Sequence, residues 1–109
     1  MPATKIHLEQ ALHALQAQPA SLMDAAEAMQ AAWAALTKRG MKGVDDDAWE
    51  ALEAIEGAIR GHDGSRDEAD QIDLDCAQDD YKKNGGGQPF DQYLVATAIK
   101  AVNGCLARA

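Results

Sequence analysis

Large aliphatic side chains are scarce in this chain: Leu, Ile, Val and Phe supply 18 of 109 residues, against 23 alanines. So little bulk, joined to a net charge of −8, lies close to the composition of unfolded chains. Two Trp, two Tyr and four Met weigh the other way, as do the regular recurrence of the large apolar residues and the low cost of alanine in a helix. The chain therefore reads as folded and helical, with a thin core that self-association would supplement. Its 109 residues fit one helical domain over residues 1–109, near the common size of roughly 100–150 residues.

Other absences bear on function. Cysteine occurs only at Cys76 and Cys105, with no C-x-x-C pair and no histidine at metal spacing, so both read as reduced thiols packed like small hydrophobes. No stretch approaches the ~18 apolar residues of a membrane span, and "MPATKIHLEQALHAL" lacks the basic, apolar and small-residue regions of a signal peptide. A cytoplasmic protein without a membrane partner is expected. Basic charge is also short where it would matter. Residues 1–42 carry a net +1, residues 43–80 a net −12 and residues 81–109 a net +3. Nucleic acid is bound through a basic face, so direct DNA or RNA binding is not expected, whereas a basic protein partner suits the acidic middle.

What is present is helical periodicity. A first helix is expected from Thr4, as N-cap, to Gln18, with Leu8, Ala11, Leu12 and Leu15 on one face and Pro19 ending it. Ser21 with Asp24 forms a capping-box-like start for a second, whose Leu22, Ala25, Ala26, Met29, Trp33 and Leu36 share a face up to Gly40. A third runs from "VDDD" through Trp49, Leu52, Ile55 and Ile59 to Gly61, followed by a turn at "GHDGS", residues 61–65. A fourth, in "RDEADQIDLDCAQDDYKKN", has a weak apolar stripe, and Gly85 to Gly87 break it. The last starts at Pro89, with Phe90, Leu94, Val95, Ala98, Ile99, Val102 and Leu106 as the strongest apolar face in the chain. No strand candidate competes. The fold class is all-α, a small antiparallel bundle of four to five helices.

"AWAALTKRGMKGVDDDAWEAL", residues 32–52, repeats Ala-Trp-x-Ala-Leu at a spacing of sixteen residues. Solenoid repeats have periods of roughly 20–50 residues and about three copies, so this is an αα-hairpin whose arms each bury a Trp-Leu face. Lys38, Arg39 and Lys42 sit where a helix C-terminus favours cations and Asp45 to Asp47 where a helix N-terminus favours anions. The Gly-flanked "TKRGMKG" has no phosphate-loop pattern.

Helix ends do not account for the eleven acids from Glu50 to Asp80. Glu50, Glu53 and Glu56 step by three, as do Asp67, Asp70 and Asp73, and residues three apart are neighbours on a helix. Two helices presenting carboxylate pairs could hold a hydrated Mg²⁺. Glu50-x-x-Glu53 with Asp67-x-x-Asp70 resembles the paired acidic motifs of all-α nucleoside-triphosphate pyrophosphohydrolases. The resemblance spans about twenty residues, with Asp where that family has Glu and a different apolar pattern. It implies an alternative, a Mg²⁺-dependent nucleotide phosphohydrolase carried by Glu50, Glu53, Asp67 and Asp70. "DGSRDEADQIDL" is no EF-hand, because Glu68 stands at the glycine position and Leu74 at the bidentate Glu. His13 shares a helix face with Glu9 but not with His7, too few ligands for zinc, and no Ser/His/Asp or Cys/His set stands out.

The principal expectation is a non-enzymatic protein with no cofactor, acting through protein–protein contact as a homodimer or small accessory subunit. Its acidic segment, residues 43–80, would meet a basic partner or imitate nucleic-acid phosphates. The expected contact residues are Asp73, Asp75, Asp79 and Asp80, with Phe90, Leu94 and Val102 on an apolar face that the chain cannot cover by itself.

Overall fold

A computed structural model describes residues 2–38 and 47–108. Five helices run through them: α1 Pro2–Gln16, α2 Leu22–Lys38, α3 Asp47–His62, α4 Glu68–Asn84 and α5 Phe90–Leu106. Among the described residues there is no strand. The protein is a small all-α bundle, as the spacing of its apolar residues requires.

Residues at helical spacing from α1, α2, α3 and α5 form one core, with Leu8, Met29, Leu52, Ile59, Leu94 and Val102 among its largest fully buried members. Seven of its 18 buried residues are alanine, so the core is thin and depends on close helix approach. The packing closes a ring in which α1 lies on α2 and α5, and α3 lies on α2 and α5. Trp33 and Trp49 meet across the α2–α3 contact with ring centroids 6.1 Å apart and planes tilted by 49°. They share one aromatic layer at the edge of the core, as the two Trp-Leu faces predicted.

Helix α4 is attached differently. It rests on the outside of α3, touches α5 lightly, and buries none of its residues. What lets it sit there is glycine on the facing side. A Cβ at Gly57 would fall 2.0 Å from Oδ2 of Asp73, and one at Gly61 would fall 2.8 Å from the backbone oxygen of Asp70. Two glycines four apart occupy one helix face, so α4 comes close to α3, its backbone against Gly61 and the Asp73 side chain against Gly57, where side chains on α3 would have held it away. The pairs Gly57–Asp73 and Gly61–Asp70 descend one helix as they ascend the other, which makes α3 and α4 antiparallel. The start of α4 is fixed by Asp67, whose carboxylate accepts from the backbone N–H of Ala69 at 2.9 Å and of Asp70 at 3.3 Å. Its end is turned by Gly86 and Gly87, at φ +65° and +81°, where glycine avoids the Cβ penalty.

Several local expectations are corrected. Helix α1 starts at Pro2, so Thr4 is not its cap; Thr4 lies inside the helix, is buried, and its hydroxyl has no hydrogen-bond partner among the described residues. Helix α1 also ends at Gln16 rather than Gln18, and Pro89 is the N-cap of α5 instead of a first-turn residue. Cys105 is the buried small hydrophobe expected, donating from Sγ to the Ala48 carbonyl at 3.3 Å, but Cys76 is exposed. The turn expected between the second and third helices, residues 39–46, lies outside the described residues.

Candidate functional site

The expected contact residues separate into two groups. Asp75, Asp79 and Asp80 on α4 are exposed and Asp73 is half-buried. Leu94 and Val102 are fully buried, at 0% exposure, so they belong to the core and not to a surface. The reason is topological: the apolar face of α5 turns into the ring, where α1 and α3 cover it. Phe90 is half-buried among aromatics, edge-on to His62 at 5.3 Å and to Tyr81 at 5.2 Å, and near-parallel to Tyr93 at 6.2 Å. That nest ties the start of α5 to the ends of α3 and α4. The Tyr81 hydroxyl donates to the Gln88 carbonyl, the Tyr93 hydroxyl donates to Asp80, and His62 Nε2 lies 2.9 Å from Asp91 Oδ1. Hydrogen bonds from Tyr93 and then Asn84 hold the Asp80 carboxyl below its ordinary value, while burial pushes Tyr93 up.

The four acids expected as a Mg²⁺ set do not gather. Asp67 is committed to capping α4, Glu50 is exposed at the far end of α3, and among the described residues no three His, Cys, Asp or Glu groups are placed to hold a metal ion. What the antiparallel register does bring together lies one turn further along each helix: Glu53 and Glu56 on α3 with Asp70 and Asp73 on α4. Burial, followed by the charges of Asp70 and Glu53, raises the Asp73 carboxyl above its ordinary value. Glu56 is also raised, chiefly by burial, against the opposing pull of Arg60 and with the charges of Asp70 and Asp73 adding to the rise. Two of the four have partners of their own. Asp70 accepts from the Ser65 hydroxyl at 2.7 Å, and Glu56 is ion-paired with Arg60, whose other arm donates to Gln30 of α2 at 2.8 Å. Glu53 is exposed and makes no hydrogen bond or ion pair within the described residues.

Beside this seam, between α2 and α3, is a small cavity of about 120 Å³ lined by Gln30, Trp33, Leu52, Glu53 and Glu56. It is far below the roughly 300–1,000 Å³ of sites for drug-sized ligands, and therefore too small for a nucleotide. A larger, open and mostly apolar groove of about 780 Å³ runs between the α1–α2 turn and α5, bordered by Leu15, Pro19, Val95 and Ile99. It carries no titratable group, and its polar side chains are the amides of Gln16, Gln18 and Gln92.

Sequence reasoning named Glu53, Glu56, Asp70 and Asp73 within its two acidic rows but paired the rows one turn out of register. The missed signal was Gly57-x-x-x-Gly61. Glycine inside a helix costs about 0.5–1 kcal/mol relative to alanine, so two at this spacing mark a close approach and set which turns face each other. No helix among the described residues is long and apolar enough to cross a membrane. No protein-family model, no curated protein and no solved structure matches this chain.

Proposed function

We propose that the chain is a non-catalytic binding protein whose acidic α4, together with the adjoining edge of α3, docks a basic protein partner. The observation that carries this reading is that α4 buries none of its residues while holding six acids between Glu68 and Asp80. A helix laid on the bundle by glycine contact, with only Ala77 packed against the core, is free to present its charge. At about 1.5 Å of rise per residue these acids recur every ~4 Å along the axis, close to the ~3.4 Å per phosphate of one DNA strand. That spacing supports imitation of nucleic-acid phosphates toward a protein that normally binds them. The partner is expected to be a separate protein, in the manner of an accessory subunit. Of the α5 face that motivated a homodimer, Leu94 and Val102 lie in the chain's own core while Val95 and Ile99 border the open groove, and sedimentation at micromolar concentration tests whether the chain also self-associates.

Binding to poly-L-lysine, followed by calorimetry across a salt series, tests the reading with a defined polycation. Affinity should fall steeply as salt rises. Replacing Asp75, Asp79 and Asp80 together by Asn should weaken it strongly, whereas replacing Glu9, Asp24 and Glu27 of α1 and α2 by their amides should not. Equal losses from the two triple variants would show that net charge alone is at work and would remove the assignment to α4.

A further inference from the structure

The cavity between α2 and α3 brings three features together. It has an aromatic wall, Trp33, an aliphatic one, Leu52, and two carboxylates, Glu53 and Glu56. Its rim already holds one cation of the chain's own. Arg60 spans it, paired with Glu56 and donating to Gln30, and both of these line the cavity. Arg60 thereby balances Glu56, and Glu53 is left with no hydrogen bond or ion pair among the described residues while Asp73 adds negative charge nearby. A single carboxylate beside an indole suits a compact point charge better than a second planar guanidinium. The size agrees: at about 30 Å³ per water-sized group, the space takes an ammonium and roughly three methylenes.

Resting on the docking role given above to the α3–α4 edge, we infer that this cavity receives one lysine side chain of the basic partner. The ammonium pairs with Glu53, and the methylenes lie against Leu52 and the Trp33 ring. Lysine is suited to this geometry because its stem can be buried along apolar surface while its charge remains near water. The slot would give the otherwise diffuse attraction of α4 a fixed register, since one side chain of the partner has one place to go.

Titrating the full chain with Nα-acetyl-lysine N-methylamide, and separately with the uncharged norleucine analogue, tests the slot without the rest of the partner. The readout is the indole N–H resonance of each tryptophan. The lysine compound should shift the Trp33 signal saturably and the Trp49 signal less, with norleucine producing neither change. Glu53→Gln, at an exposed position that leaves helicity intact by circular dichroism, should weaken the lysine compound by about tenfold, the loss of one charge-assisted hydrogen bond. Asp79→Asn should change it by less than about twofold, as a remote surface charge does. A norleucine response equal to that of lysine, no saturation, or wild-type affinity in Glu53→Gln would each overturn the slot. Poly-L-lysine distinguishes this failure from failure of the docking role. Salt-sensitive binding that still depends on Asp75, Asp79 and Asp80 but ignores Glu53→Gln keeps the acidic face and removes the slot. Saturable lysine binding at Trp33 beside polycation binding indifferent to α4 removes the face and leaves an isolated amine site.

Discussion

If α4 is held by backbone contact, then alanine at Gly61 should do the opposite of what alanine does in an ordinary helix. In an exposed helix interior Gly→Ala stabilises by about 1 kcal/mol. Here the new Cβ would lie 2.8 Å from the Asp70 carbonyl oxygen, 3.0 Å from the Leu74 Cβ and 3.3 Å from the Asp70 carbonyl carbon. A carbonyl in the helix ladder cannot swing aside, so α4 must move off α3 as a body. Overpacking of this kind costs about 1–3 kcal/mol, which leaves a net loss of about 1 kcal/mol after the propensity gain. Gly57→Ala is the internal control. Its contacts, 2.0, 2.8 and 3.0 Å, are to the Oδ2, Cγ and Cβ of Asp73, a side chain whose carboxylate can rotate toward solvent and leave only the Cβ approach to be relieved, with no backbone atom in the way. Gly57→Ala should therefore be the more stable of the two by about 1 kcal/mol. Urea unfolding followed by circular dichroism gives both stabilities, and native-state hydrogen exchange locates the loss. In Gly61→Ala, protection should fall in α4 while α1 and α2 keep theirs, because α4 buries none of its residues and leans on the core only through Ala77. A Gly61→Ala protein that is stabilised like a free helix would refute the close-approach argument, as would loss of protection spread evenly over all the helices.

Asp73→Asn should stabilise the protein at neutral pH and low salt by about 0.5–1 kcal/mol, since it removes like-charge contacts with Asp70 and Glu53 worth roughly 0.2–0.5 kcal/mol each, together with part of a burial cost. The sign with pH follows from the raised carboxyl. The folded chain binds that proton more tightly than the unfolded one, so the wild type recovers stability as pH falls from the raised value toward the ordinary 3.8, and its gap to Asp73→Asn should close there; a gap that widens on acidification contradicts this. Tyr93→Phe should let the Asp80 carboxyl rise toward its ordinary value, visible as a shifted midpoint in carboxyl-carbon NMR. The stability that Asp80 contributes above 3.8, and loses as pH falls through its depressed value, should shrink with it. Thr4→Val should stabilise by about 1 kcal/mol, because it deletes a buried hydroxyl with no hydrogen-bond partner among the described residues; thermal melting would show a loss instead if that hydroxyl were satisfied. Leu94→Ala, at a fully buried site of the α5 face, should cost about 2–5 kcal/mol in the same assay.

The helices were legible because each carries its own signals. Leu94, Ala98 and Val102 recur at helical spacing, Asp47 and Glu50 fall in the first turn of α3, and Pro19 and the glycines at 85–87 punctuate. The weak stripe of α4 was a faithful signal too, for that helix has no buried face. The candidate site was only half legible. The acids could be listed in rows, but a row fixes position around one helix and leaves open which turn of the neighbouring helix it meets. Asp67 illustrates the ambiguity: the same side chain suits a metal pair or a helix cap, and the turn at Ser65 made it a cap.

By itself, then, the sequence determined an all-α chain, a thin alanine-rich core and an acidity concentrated in residues 43–80. These follow from local periodicity and composition, which need no partner helix to be read. Only the tertiary structure decided that the apolar face of α5 turns inward, that α4 rides outside the ring, and that Glu53 borders a cavity beside Trp33. Those outcomes depend on the register between helices far apart in sequence. At the α3–α4 seam that register was set by the absence of two side chains, at Gly57 and Gly61.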